Sequence, residues 1–127
     1  MKRVVAVVAF CAVALVPAGC SGSGDSTSDT TIVDVSLVPT GNVIDVRTAD
    51  EFAEGHVQGA RNLDLQNGDF EAALQQLDKS VPYSLYCRSG NRSATAAELM
   101  RNAGFANVVD LGALEEAART LALPIVR

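Results

Sequence analysis

Between Asn42 and Leu121, short β-branched runs alternate with stretches of helical periodicity, and this alternation leaves few folds open to the chain. Residues 42–46 (Asn-Val-Ile-Asp-Val), behind the turn pair Thr40-Gly41, predict a short buried strand. Thr48 is placed to cap a short helix, with Glu51 completing a capping box and Gly55 ending it. Phe70, Ala73, Leu74 and Leu77 share one face of a helix over 70–77. Pro82 opens a strand over 83–87. A helix over 93–102 follows, with Ala96, Leu99, Met100 and Ala103 as its apolar stripe and Gly104 as its left-handed close. A strand over 107–111 and a helix over 114–121 complete the series. Such alternation means an α/β fold built on a parallel sheet, whose reactive sites lie at the carboxyl ends of the strands. Cys87 occupies one of those ends, directly before a helix.

The N-terminal part follows other rules. Lys2 and Arg3 precede an unbroken apolar run over 4–16, followed by Pro17-Ala18-Gly19-Cys20. A charged start, an apolar run and a small-residue exit are the layout of a secretory signal peptide, expected over 1–19. A transmembrane helix is the competing reading, but it requires about 20 apolar residues. Ala18-Gly19-Cys20 resembles the end of a bacterial lipobox, with Pro17 where Leu is usual, and makes Cys20 the expected lipidation site. Val16-Pro17-Ala18 offers the alternative of ordinary cleavage and a soluble secreted or periplasmic product. Residues 21–31 (SGSGDSTSDTT) contain nothing able to build a core, so residues 20–31 are read as a flexible tether and 32–127 as the folded domain. The expected location is the bacterial cell envelope, with the domain held on the membrane by lipid.

Removing Lys2 and Arg3 with the signal leaves 8 basic residues against 15 acidic ones, a net charge of −7. That balance argues against nucleic-acid binding and against adhesion to anionic lipid through charge. Of the three cysteines, Cys11 lies in the signal and Cys20 at its end, so Cys87 is the single thiol of the folded domain. Exported proteins mostly use cysteines in pairs. A solitary one is either an inert core residue or a reactive group, and its neighbours decide between them.

Those neighbours are Arg88, Ser89, Gly90, Asn91, Arg92 and Ser93. A thiol attacks as its thiolate, and an ordinary cysteine is mostly protonated at neutral pH. The start of the following helix offers unpaired amides and the positive end of a dipole. Gly90 and the small polar residues let the backbone curl into an anion-binding nest, and Arg88 and Arg92 add positive charge able to hold an anionic substrate. The segment therefore reads as a cradle for a nucleophilic sulfur.

Cys87-Arg88-Ser89-Gly90-Asn91-Arg92-Ser93 resembles the CRSGxRS active-site loop of the rhodanese-like sulfurtransferases. Val43-Ile44-Asp45-Val46-Arg47 is similar to that family's I-D-V-R strand. Glu51-Phe52 with Gly55-His56-Val57-Gln58-Gly59-Ala60-Arg61-Asn62 is similar to its E-F-x-x-G-H-I-x-G-A-x-N stretch. Ala97-Glu98-Leu99 and Gly104-Phe105-Ala106-Asn107-Val108 extend the likeness over nearly the whole domain. The resemblance implies a three-layer α/β fold, with a five-stranded parallel sheet and helices on both faces. It also implies a ping-pong cycle in which Cys87 takes sulfur from a small anionic donor such as thiosulfate, forms a persulfide, and passes the sulfur to cyanide or a thiol. Arg88 and Arg92 would bind the donor's anionic end, and the amides of residues 89–93 would hold the outer sulfur. Leu111-Gly112-Ala113-Leu114 departs from the Gly-Gly and Trp usual near the end of the family, and the chain has no Trp.

His56, the only histidine, is read as part of a structural turn, because a cradle-activated thiolate needs no base. Asp45 and Arg47, at a strand end, are read as an ion pair that braces the loop. No metal site and no cofactor are expected, since one Cys and one His lack the spacing of a ligand set, and the domain is expected to be a monomer. Three alternatives stand beside sulfur transfer. A phosphatase or arsenate reductase of similar fold would place its arginine six residues after the cysteine, whereas Arg92 is five after Cys87. A non-catalytic binding module of the same family commonly lacks the cysteine. A thiol–disulfide oxidoreductase would want a second cysteine in the domain.

Overall fold

The computed structural model describes residues 38–127. The expected signal, Cys20 and the tether lie outside them. The elements are β1 (Val43–Asp45), α1 (Ala49–Glu54), β2 (His56–Val57), β3 (Arg61–Asn62), α2 (Asp69–Leu74), β4 (Tyr83–Cys87), α3 (Asn91–Asn102), β5 (Val108–Ala113), α4 (Leu114–Leu121) and β6 (Ile125–Val126). Four strands form one parallel sheet in the order β3-β1-β4-β5. The resemblance implies five parallel strands, and the described residues supply four. The remaining two, β2 and β6, pair antiparallel in a small separate sheet.

Strand β4 is buried along its whole length, and its side chains alternate between two cores, as the two-residue period requires. Tyr83, Leu85 and Cys87 join Phe70, Leu74, Ala96, Ala97 and Met100 from α2 and α3. Tyr86 joins Val43, Val57, Leu111, Ala117 and Leu121 on the side of α4. Helices therefore cover both faces of the sheet, the arrangement a fully buried parallel strand demands.

The boundaries show where local chemistry overrides periodicity. Helix α3 starts two residues earlier than the stripe predicts, because Gly90 at φ +94° is its cap and lets the chain turn into the helix directly after the cysteine loop. Helix α2 starts at Asp69 and its last turn tightens, with Gln76 N–H and Leu77 N–H both donating to Ala73 O. Strand β5 runs on to Ala113 because it carries one extra residue. The register Leu85↔Asp110 becomes Cys87↔Ala113, a bulge that Gly112 at φ +76° makes possible. The bulge lies directly beside Cys87.

Candidate active site

Cys87 ends β4 and is fully buried. Its Sγ accepts the Gly90 N–H at 3.0 Å, so the chain folds back over the sulfur within three residues. Only a left-handed residue makes that reversal cheaply, and Gly90 supplies it at φ +94°. Burial pushes the Cys87 thiol up. The Ser93 N–H and hydroxyl and the Ser89 and Gly90 N–H groups more than offset it, and hold the thiol below its ordinary value. The Ser93 hydroxyl has one proton and donates it to Gly90 O at 3.0 Å, so the amides are the firmer donors to sulfur. Ser93 is itself fully buried, with Gly112 O also within 3.4 Å of its Oγ. The sulfur thus lies between the first turn of α3 and the bulge of β5.

The two arginines of the loop have different surroundings. Arg88 is exposed and lines a cleft of about 500 Å³ with Arg47, Glu51, Glu54, Leu114 and Glu115. No ion pair involves Arg88 among the described residues. Arg92 reaches across to α1, donating from Nη1 to Glu51 Oε2 at 2.7 Å and from Nη2 to Glu51 Oε1 at 2.8 Å. The Arg92 guanidinium, helped by the Thr48 N–H against the opposing effect of burial, lowers the Glu51 carboxyl to about 2. Arg92 is also close enough to Cys87 to share its field. The same Glu51 Oε2 accepts the Thr48 N–H at 3.1 Å and hydroxyl at 3.2 Å, so the cap of α1 and the partner of Arg92 are one carboxylate. The sequence pattern marks Glu51 as a cap residue. Nothing in it reveals the second task, because the partner is 41 residues away.

Asp45 and Arg47 form the buried pair expected of them. Arg47 donates through Nη2 to Asp45 Oδ2 at 2.6 Å and through Nε to both carboxylate oxygens at 3.0 Å, and Arg47 N–H donates to Oδ1 at 2.9 Å. Nη2 also reaches Gly55 O at 2.6 Å, and the guanidinium carbon stands 5.7 Å from the centre of the Tyr86 ring. Burial and Asp45 raise the Tyr86 phenol well above its ordinary value, and its oxygen accepts the Val57 N–H at 3.0 Å. These contacts join the end of β1 to the residue that closes α1 and tie Tyr86 of β4 to Val57 of β2. His56 stacks on Phe52 at 3.7 Å between ring centres and bonds Phe52 O at 2.9 Å through Nδ1, which fits a turn-holding role. Asn91, the first residue of α3, is exposed.

The structure therefore gathers Cys87, Ser89, Gly90 and Ser93 around one sulfur atom, leaves Arg88 at an open cleft, and gives Arg92 to Glu51. The departure at 111–114 is the other wall of the site. Asp110 Oδ1 accepts the Gly112 N–H at 3.0 Å and shapes the bulge, and Glu116 Oε2 accepts the Ala113 N–H at 3.3 Å at the start of α4. Among the described residues no group of three or more His, Cys, Asp or Glu side chains gathers as a metal site would require.

Comparison with known proteins agrees with this geometry. The Rhodanese-like domain family matches residues 29–116. The chain is 33% identical over 75 residues to thiosulfate sulfurtransferase PspE of Escherichia coli K12, covering 59% of this chain and 72% of that protein. It is 35% identical over 69 residues to thiosulfate sulfurtransferase GlpE of Ectopseudomonas mendocina, covering 54% of this chain and 62% of the relative, less than two thirds of its length. Among solved structures, a rhodanese with anions from E. coli is 31% identical with a TM-score of 0.57, covering 68% of this chain and 96% of that one. The Rhodanese_3 like domain of the Alr3790 protein from Anabaena sp. is 26% identical with a TM-score of 0.58, covering 68% and 98%.

Proposed function

Because this chain belongs to the rhodanese-like domain family, we propose that it is a sulfurtransferase whose carrier of sulfane sulfur is Cys87. The observation that carries the reading is the convergence of the Ser89, Gly90 and Ser93 amides on a thiol held below its ordinary pKa at the end of β4. Lowering the pKa enlarges the fraction present as thiolate, the form that attacks, and the same donors suit the negative charge of a persulfide. The Cys87 thiolate attacks the outer sulfur of thiosulfate, the S–S bond of the donor breaks, and sulfite leaves with its electron pair. The enzyme is left as Cys87–S–S⁻. A thiolate or cyanide then attacks the outer sulfur, giving a new persulfide or thiocyanate and returning the Cys87 thiolate.

Arg88, exposed at the cleft beside the loop, is the group we assign to the donor's anionic end. Cys87 itself is fully buried, and the residues that follow it, Arg88 and Ser89, are exposed to solvent. A phosphatase reading would need an arginine turned toward the bound oxyanion, and Arg92 is engaged by Glu51. Thiocyanate release from thiosulfate and cyanide, compared with 3-mercaptopyruvate as donor, tests the assignment. Loss of all turnover in Cys87→Ser supports it, and turnover that survives the substitution overturns it. We also propose that the domain is exported and lipid-anchored through Cys20 to a bacterial envelope membrane, on the strength of Ala18-Gly19-Cys20 and the Gly/Ser-rich residues behind it.

A further inference from the structure

The first turn of α3 cannot fix its own position. Its leading amides have no intrahelical acceptors, and its cap, Gly90, has no side chain to anchor it. Yet two of these backbone groups, the N–H of Gly90 and that of Ser93, are the ones that face the Cys87 sulfur. Contacts from outside the helix must therefore hold the turn in place. The strongest is the two-bonded pair between Arg92, the second residue of α3, and Glu51 of α1, four-fifths buried on both sides. Glu51 is in turn fastened by the Thr48 N–H and hydroxyl, and Thr48 follows Arg47, which the buried bonds to Asp45 lock to the end of β1. The bonds of Arg47 to Asp45, the peptide link from Arg47 to Thr48, and the bonds of Glu51 to Thr48 and Arg92 connect the end of β1 to the first turn of α3, and Glu51 supplies the ion pair between α1 and α3 among the described residues.

We infer that Glu51 is a positioning residue for the sulfur site. Through Arg92 it holds the first turn of α3 where the amides of Gly90 and Ser93 face Cys87. This deepens the reading of Cys87 as the working thiol and rests on it. The rival account keeps Arg92 as a direct contact for the donor and makes Glu51 an incidental partner.

The double variant Glu51→Gln/Arg92→Met removes the link with net charge unchanged, and Glu51→Gln alone, which keeps the Arg92 charge near Cys87, separates a change of geometry from loss of that charge's direct field. In the full chain, the pH dependence of iodoacetamide alkylation is followed on the Cys87 peptide by mass spectrometry. We expect the ionisation midpoint to rise by about one unit, with a roughly tenfold slower reaction at pH values below it, while circular dichroism shows an intact fold. A midpoint equal to that of the wild type overturns the inference. Glu51→Asp, whose carboxylate falls one carbon short of Arg92, should shift the midpoint in the same direction by less, and serves if the double variant does not fold. A second arm measures thiosulfate KM. Positioning predicts that Glu51→Ala and Arg92→Ala impair donor use alike, and together no more than singly. Direct donor contact predicts an unchanged or lower KM in Glu51→Ala. The alkylation arm needs no turnover. A shifted midpoint in a chain that transfers no sulfur sinks the enzymatic reading alone, and an unshifted one in a chain that does transfer sulfur sinks this inference alone.

Discussion

Asp45→Asn should be the most damaging conservative substitution in this domain. It keeps the shape of the side chain and removes one charge, so its effect is read from the group left behind. Arg47 is 5% exposed and spends four contacts on Asp45, three from the guanidinium and one from its own backbone N–H. What remains to it is the one neutral amide oxygen of the new side chain and Gly55 O, with the Tyr86 ring face nearby, and no negative charge. Removing one partner of a buried pair costs about 3–5 kcal/mol, because the other charge stays buried without compensation. A domain of this size has only about 5–15 kcal/mol in total, and each kcal/mol is worth roughly 4–8 °C of Tm. The measurement is urea unfolding followed by circular dichroism, on the wild type, Asp45→Asn, Arg47→Met and the double variant. The double variant should recover much of the loss, since an apolar side chain replaces the orphaned guanidinium. A loss below about 1 kcal/mol in Asp45→Asn would refute the argument that this pair joins the end of β1 to the residue that closes α1.

Other outcomes follow from the same geometry. Glu51, lowered from its ordinary 4.5 to about 2 in the folded chain, contributes its full stabilisation above pH 4.5 and loses it as pH falls toward 2. The stability difference between wild type and Glu51→Gln should be constant near neutrality and shrink through that window. Its plateau should be about 1–2 kcal/mol, less than the whole shift implies because the carboxylate is 20% exposed to screening water. A difference that stays constant from above about 4.5 down to about 2 would show that the charge is not what matters. Arg88→Ala should raise the thiosulfate KM by about tenfold or more, the equivalent of one charge-assisted bond of roughly 1.5–3 kcal/mol, with Tm unmoved. An unchanged KM would remove Arg88 from the donor site. Cys20→Ala, expressed in a bacterial host and fractionated, should leave the membrane or stall as precursor; wild-type protein found soluble with an unmodified Gly19 start would overturn the anchor.

Much of this fold is legible in the sequence where periodicity and burial agree. Strand β4 and helix α4 fall on the residues that Pro82, the apolar run and the last helical stripe predict, because both are buried against a core on a clear period. The capping box of Thr48 and Glu51 was equally readable, since its residues are local. Strands β2, β3 and β6 were not, because two residues carry no period and their pairing is decided by distant partners. The start of α3 and the bulge in β5 depend on left-handed Gly90 and Gly112, whose conformations the neighbouring apolar pattern does not encode. At the site, Cys87 and its amide donors follow from a short contiguous loop. The engagement of Arg92 by Glu51 does not, because the two residues lie 41 apart in sequence on different helices.

The central claim is that Cys87 carries the sulfur, and the covalent intermediate tests it most directly. Intact chain is treated with thiosulfate, freed of excess donor, digested without reductant and analysed by mass spectrometry, with an untreated sample alongside. The account predicts one added sulfur on the peptide containing Cys87, absent from those containing Cys11 and Cys20, and removed by cyanide with release of thiocyanate. An unmodified Cys87 under conditions where iodoacetamide reaches it, or a sulfur adduct that cyanide does not remove, would contradict it.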